Sequence, residues 1–280
     1  MGLIDIILNL VALLIWLNWR GSRFISPIAP TPLTLLSTLR SAGSARERSG
    51  LWLAGLIGLL LGRSIFYWYI GSAAGWTAQI NLGVVTLSFR SDLPGRMLLY
   101  SVFMFVVVLF AFHVWLVLLS SVNRSLPDTD SMQRLVRLHL GWLTRLPVAA
   151  QLATPLLGGA VLWMLASFLL ARVEIMPAPA STLHVVEQSL VMGLRACLVW
   201  EPLIIGLLLL YMVNSYVYLG QHPFWEFIEQ TGKNLLHPLK SLPLRAGKVD
   251  FAPILGAVAV FVLARGVDLG LTHLYQRLPL

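Results

Sequence analysis

Met97-Leu98-Leu99-Tyr100-Ser101-Val102-Phe103-Met104-Phe105-Val106-Val107-Val108-Leu109-Phe110-Ala111-Phe112-His113-Val114-Trp115-Leu116-Val117-Leu118-Leu119 runs for 23 residues without an acidic, lysine or arginine side chain. About 20 such residues in a helix cross a hydrocarbon core roughly 30 Å thick. Lipid offers no partner to backbone N–H and C=O groups, so the run must be a helix that satisfies them internally. Similar runs occupy Leu3 to Trp19, Leu51 to Ile70, Val148 to Leu170, Ser189 to Tyr211 and Phe251 to Leu271. The reading is an all-α polytopic membrane protein with six transmembrane helices. Pro155 and Pro202 fall inside the fourth and fifth spans and predict kinks there. Composition agrees: 58% of the 280 residues are hydrophobic and 11% charged, with a mean hydropathy of +0.80, against about 25% charged in soluble domains.

The net charge of +8 and pI near 10.1 raise nucleic acid as a partner, but the basic residues lie where membrane topology puts them. Arg20, Arg23, Arg40, Arg46 and Arg48 follow the first span. Arg124, Arg134, Arg137 and Arg145 follow the third, and Lys233, Lys240, Arg245 and Lys248 follow the fifth. These thirteen stand against four on the other side, Arg90, Arg96, Arg172 and Arg277. Positive charge marks the cytoplasmic side, so the segments near 20–50, 120–147 and 220–250 are expected in the cytoplasm and both termini outside. No direct nucleic-acid contact is expected. Met1 to Trp16 has no basic start and carries Asp5, so the first span is expected to remain rather than be cleaved. The single Cys197 forms no intrachain disulfide. Outside, the β-prone residues Gln79 to Phe89 around Gly83 predict a small hairpin. Trp68, Tyr69, Trp76, Trp142, Trp225 and Tyr275 sit near span ends and read as interfacial anchors.

Three units of span, amphipathic segment and span repeat along the chain. They cover 1–70, 97–172 and 189–280, joined by outer connectors at 71–96 and 173–188. Leu235-Leu236-His237-Pro238-Leu239-Lys240 answers Leu35-Leu36-Ser37-Thr38-Leu39-Arg40. Leu146-Pro147 followed by Thr154-Pro155-Leu156-Leu157-Gly158 answers Leu242-Pro243 followed by Ala252-Pro253-Ile254-Leu255-Gly256. Each unit starts and ends on the same side, so the repeats are parallel. In the middle segment Leu135, Leu138 and Trp142 recur at helical spacing, with Arg134 and Arg137 on another face. Such a helix either lies in the headgroup plane or packs on the bundle.

The third unit resembles the YggT family of small integral membrane proteins. The residues that carry the likeness are Gly220-Gln221-His222-Pro223-Phe224, Leu235 to Lys240, Leu242-Pro243 and Gly247-Lys248-Val249-Asp250-Phe251-Ala252-Pro253. It extends over about 203–270 and more loosely over 1–66, where Gly50-Leu51-Trp52-Leu53 replaces the Leu-Pro and Asp-Phe-x-Pro signatures. The middle unit is an added or diverged copy. The resemblance implies a bacterial inner-membrane protein, in a family linked to cell division, nucleoid or plastid organisation, osmotic tolerance and cytochrome maturation. It transfers no catalytic residue.

Charges inside a membrane are the first functional candidates, because they are costly unless paired or hydrated. Arg63, Arg265 and Glu201 are placed at similar depth, and Glu201 is the expected counter-ion of Arg63, Arg265 or both. Asp268, three residues after Arg265, competes for that arginine, and Arg195 is expected to snorkel outward. Two meanings stay open: a structural ion pair, or a titratable layer of a small ion or proton transporter or channel. The scattered histidines, His113 among them, show no ligand spacing, and neither CxxC nor a phosphate loop occurs. No catalytic, cofactor or metal site is assigned; a haem-assembly role ranks third. Gly158-Gly159 and Gly55, Gly58 and Gly62 read as close helix packing. The leading expectation is a non-enzymatic membrane protein that organises anionic lipid or a protein partner through Arg40, Arg134, Arg137, Lys233 and Lys240. Oligomeric state is left open.

Overall fold

The computed structural model describes residues 2–24, 35–124, 126–127, 130–177, 181–217, 220, 222–239, 245–246 and 249–278, with side chains described outside 23–48 and 240–249. The chain is an all-α integral membrane protein with, among the described residues, six helical segments long and apolar enough to span: Leu3–Ser22, Ser49–Ala74, Pro94–Val122, Val148–Arg172, Thr182–Tyr216 and Ala252–Arg277. Their outer faces carry leucine, isoleucine, valine and phenylalanine, as lipid-facing helices require. The chain forms two compact units, Met1–Phe110 and Ala111–Leu280.

In the first unit α1 (Leu3–Phe24) packs on α2 (Leu35–Ala74), and α3 begins at Pro94 and continues to Val122. Ala12, Leu56 and Phe105 form their shared core, flanked by Ile15, Trp16, Leu60 and Leu109. The first amphipathic segment and the second span are one 40-residue helix, because no proline interrupts Leu35 to Ser49. The expected hairpin is present: β1 (Thr77–Asn81) pairs antiparallel with β2 (Thr86–Arg90), with Ile80 opposite Leu87. Alternation puts Ala78, Ile80, Leu87 and Phe89 on one buried face. At the turn, Gly83 adopts a positive φ and its N–H donates to Asn81 Oδ1 at 2.6 Å.

The second unit holds the rest of α3, then α4 (Ser131–Leu140), α5 (Val148–Arg172), α6 (Thr182–Ala196), α7 (Trp200–Tyr216), α8 (Pro223–Leu235) and α9 (Ala252–Arg277). Both prolines act locally. Pro202 cannot donate to the carbonyl of Leu198, and the fifth span breaks into a 3-10 turn at Cys197–Val199. The Trp115 indole donates to the Val199 carbonyl at 2.7 Å, and the Trp200 indole to the Val114 carbonyl at 2.9 Å. Pro155 leaves the Gln151 carbonyl without its helical donor, and Thr154 Oγ1 donates to it at 2.6 Å.

The glycine expectations divide. Gly159 and Gly193 bring α5 and α6 together: a Cβ on Gly193 would strike the Leu156 carbonyl and Ala160, and one on Gly159 would lie 2.7 Å from the Ala196 Cβ. Gly55, Gly58 and Gly62 face no atom within 4 Å among the described residues. For them the close-packing expectation is corrected, because α2 turns that stripe away from α1. Of the family-like residues, Gln221, Lys240, Leu242, Pro243, Gly247 and Lys248 lie outside the described residues.

Candidate functional site

The intramembrane charges form two clusters. In the first unit Arg63, 4% exposed, takes its counter-ion from α1: Nη2 donates to Asp5 Oδ1 at 2.7 Å and Nη1 to Asn9 Oδ1 at 2.7 Å. This corrects the assignment of Arg63 to Glu201. Asp5 Oδ1 also accepts from the Tyr67 hydroxyl at 2.7 Å, and Tyr100 from α3 approaches both carboxylate oxygens at 3.3 Å. The guanidinium lies over the Tyr67 and Tyr100 rings at 5.5 and 5.3 Å. Asn9 Nδ2 and Arg63 Nε are buried without a partner among the described residues, so the cluster is rich in donors.

The hairpin closes over this cluster. Phe89 meets Tyr100 edge-on at 5.6 Å, and Trp76 stacks at a tilt on Tyr67 at 5.5 Å. Ser91 donates to the Trp76 carbonyl, and Gly71 gives the room for Ser91 to approach α2. A buried pair satisfied by two tyrosines and an asparagine fixes helix register at least as well as it serves transport.

In the second unit the centre is Arg195, which the sequence reading had sent outward to snorkel. It pairs instead with Asp268 across from α9, both side chains about a quarter exposed. Asp268 thus serves Arg195 rather than Arg265 on its own helix. The charges of Glu201 and Arg265 also bear on Arg195, the first attracting and the second repelling. Arg265 itself is exposed and lies over the Phe261 ring at 5.2 Å.

A third assembly sits where α3 ends, against the first turn of α4 and the last turns of α8. Asp130 caps α4, accepting from the N–H groups of Met132 and Gln133 at 2.9 Å each. Val136 and Leu140 of α4 pack on Leu116 and Val117 of α3. Asn123, fully buried, donates to Thr231 Oγ1 at 2.7 Å and accepts from Asn234 Nδ2 at 3.1 Å. Its carbonyl accepts from Gln133 at 3.1 Å. This knot binds both amphipathic helices to one span end.

With its inward face so occupied, α4 still presents Leu135, Leu138 and the following Trp142 outward, 50%, 40% and 70% exposed. Arg134 and Arg145 are exposed beside them. One face of the segment thus packs on the bundle, and another apolar stripe faces out. Arg137 is half-buried, donating to the Leu126 carbonyl at 3.2 Å.

The other basic candidates differ. Lys233 pairs with Glu229 at 2.6 Å, and this hydrogen bond raises its ammonium above the ordinary lysine range. With Glu226 and Glu229 against Lys233, α8 is acidic, which removes Lys233 from a basic lipid-facing set. For Arg40 only the helical backbone is described, and Lys240 lies outside the described residues.

Sequence reasoning missed Asp5, Asn9, Tyr67, Tyr100 and the Asn123 knot. Asp5, Asn9 and Ala12 share one face of an otherwise apolar helix, a signal that was available. Among the described residues no three His, Cys, Asp or Glu side chains converge as metal ligands; His113 contacts Phe112, and His139 bonds to the Leu135 carbonyl at 2.9 Å. Comparison with protein-family models, curated proteins and solved structures gives no match.

Proposed function

We propose that this is a non-enzymatic, YggT-type protein of a bacterial inner membrane that gathers anionic lipid in the cytoplasmic leaflet. One observation carries the reading: α4 is anchored to its bundle through one face yet exposes Leu135, Leu138 and Trp142 beside Arg134 and Arg145. An apolar stripe flanked by guanidinium groups fits the boundary between headgroups and acyl chains. The surplus of thirteen basic residues over four supports placing that end in the cytoplasm, with both termini outside. The shared motifs of the first and third repeats support the family assignment. The transport alternative has one fewer charge to use, since Arg63 is engaged by Asp5.

The test is lipid selectivity. Spin-labelled phosphatidylglycerol and phosphatidylcholine are compared in reconstituted vesicles by the fraction of motionally restricted lipid. Wild type prefers the anionic lipid, and Arg134→Gln with Arg145→Gln weakens that preference by about 1 kcal/mol per charge at low salt. Equal restriction of both lipids by the wild-type protein would sink the proposal.

A further inference from the structure

Between α3, α4 and α5 of the second unit lies a cavity of about 270 Å³ lined by Ser120, Arg124, Arg137, Thr144 and Gln151. Every lining side chain among the described residues is polar and two are cationic, with no carboxylate among those described. Arg124 is exposed at the mouth, and Arg137 is held in place by the Leu126 carbonyl. Guanidinium groups pair with phosphate oxygens through parallel N–H bonds.

Two further polar groups lack donors rather than acceptors. Gln151 is 3% exposed; its Nε2 donates to the carbonyls of Leu143 and Thr144 at 3.0 and 3.1 Å. Its Oε1 is buried without a partner among the described residues. Thr144 Oγ1 donates its proton to the Gly141 carbonyl at 2.9 Å, which leaves its oxygen as an acceptor. A buried acceptor without a donor is unfavourable, so the cavity suits a ligand that brings both negative charge and hydroxyl groups.

We propose that this cavity is a single binding site for a phosphate ester bearing free hydroxyls, met in the membrane as the phosphoglycerol headgroup of an anionic lipid. Arg124 and Arg137 hold the phosphate, while Gln151 Oε1 and Thr144 Oγ1 accept from the headgroup hydroxyls. The neighbouring Leu138 and Trp142 lie beside the acyl chains. This rests on the lipid reading above and sharpens it from a general surface preference to one site.

Native mass spectrometry of the full chain, titrated with short-chain phosphatidylglycerol, tests it. The expected result is one saturable lipid per chain, weakened roughly tenfold or more by Arg124→Gln and unchanged by Arg172→Gln at the exposed far end of α5. Phosphatidylmethanol, which has the phosphodiester and no hydroxyl, should bind several-fold more weakly if each lost hydroxyl leaves an acceptor unpaired. Equal binding of phosphatidylmethanol would overturn the role of Gln151 and Thr144. Free sn-glycerol 3-phosphate distinguishes the source: poor competition supports a lipid, and displacement at equal affinity overturns the lipid assignment in favour of a soluble phosphate ester. Equal losses from Arg124→Gln and Arg172→Gln, with no saturable component, would overturn the site. Selectivity persisting in the spin-label experiment would then leave the broader function standing, whereas loss of both would end both.

Discussion

Arg63 and Arg265 each lie within a membrane span and meet opposite surroundings. Arg63 is sealed under a hairpin, bonded to Asp5 and Asn9 and faced by two tyrosine rings. Arg265 is exposed and lies over a single phenylalanine. The difference comes from neighbours supplied by distant sequence: α1 brings a carboxylate to Arg63, whereas the acid of α9 is taken by Arg195 from α6. Arginines within apolar spans need not carry matching roles. A buried charge becomes structural when its partner is fixed by packing.

The largest effect should come from breaking the sealed pair. Asp5→Leu leaves Arg63 charged and uncompensated, and removing one member of a buried pair typically costs about 3–5 kcal/mol. Arg265→Leu, at an exposed position, should stay within roughly 0.5 kcal/mol. Thermal unfolding in detergent compares them. Similar losses would erase the contrast between the two arginines.

A smaller effect separates the glycines. Gly193→Ala forces a methyl group against the Leu156 carbonyl, and such overpacking costs about 1–3 kcal/mol. Gly58→Ala meets open space and should be neutral or stabilising by up to about 1 kcal/mol, the helix preference of alanine over glycine. The sign of the two shifts in melting temperature is the readout. A destabilising Gly58→Ala would show that its stripe is packed after all.

The smallest effect concerns Lys233. Its raised folded value means that the Glu229 pair stabilises fully at neutral pH and weakens as pH rises through that value. Half-exposed, it is screened by solvent. The melting temperatures of wild type and Lys233→Met should therefore differ slightly at pH 7 and converge in strong alkali. A constant gap would assign the contribution to packing of the lysine stem.

Much of this architecture was legible because lipid imposes a length and an apolar composition on each span, and Pro202 announced the break near Val199. The hairpin was legible from its β-prone residues around Gly83. The ion pairs were not. Arg63 has to be paired, but its partner lies 58 residues away, and the register between α1 and α2 depends on side-chain packing that hydrophobic periodicity leaves undefined. The polar knot had the same obscurity: Asn123, Thr231 and Gln133 look like ordinary loop and surface residues until α4 and α8 fold onto the end of α3. For α4, periodicity revealed the stripe of Leu135, Leu138 and Trp142, while the second apolar face of Val136 and Leu140 appeared only once packed.

The position of α4 at the membrane surface is the central claim, and a nitroxide at residue 138 tests it directly. Leu138→Cys on a Cys197→Ser background, spin-labelled and reconstituted in vesicles containing phosphatidylglycerol, is exposed to oxygen and to a water-soluble nickel chelate. The account predicts collision mainly with oxygen, as for a side chain in the acyl boundary. Ready collision with the nickel chelate and little with oxygen would place α4 in water and contradict it.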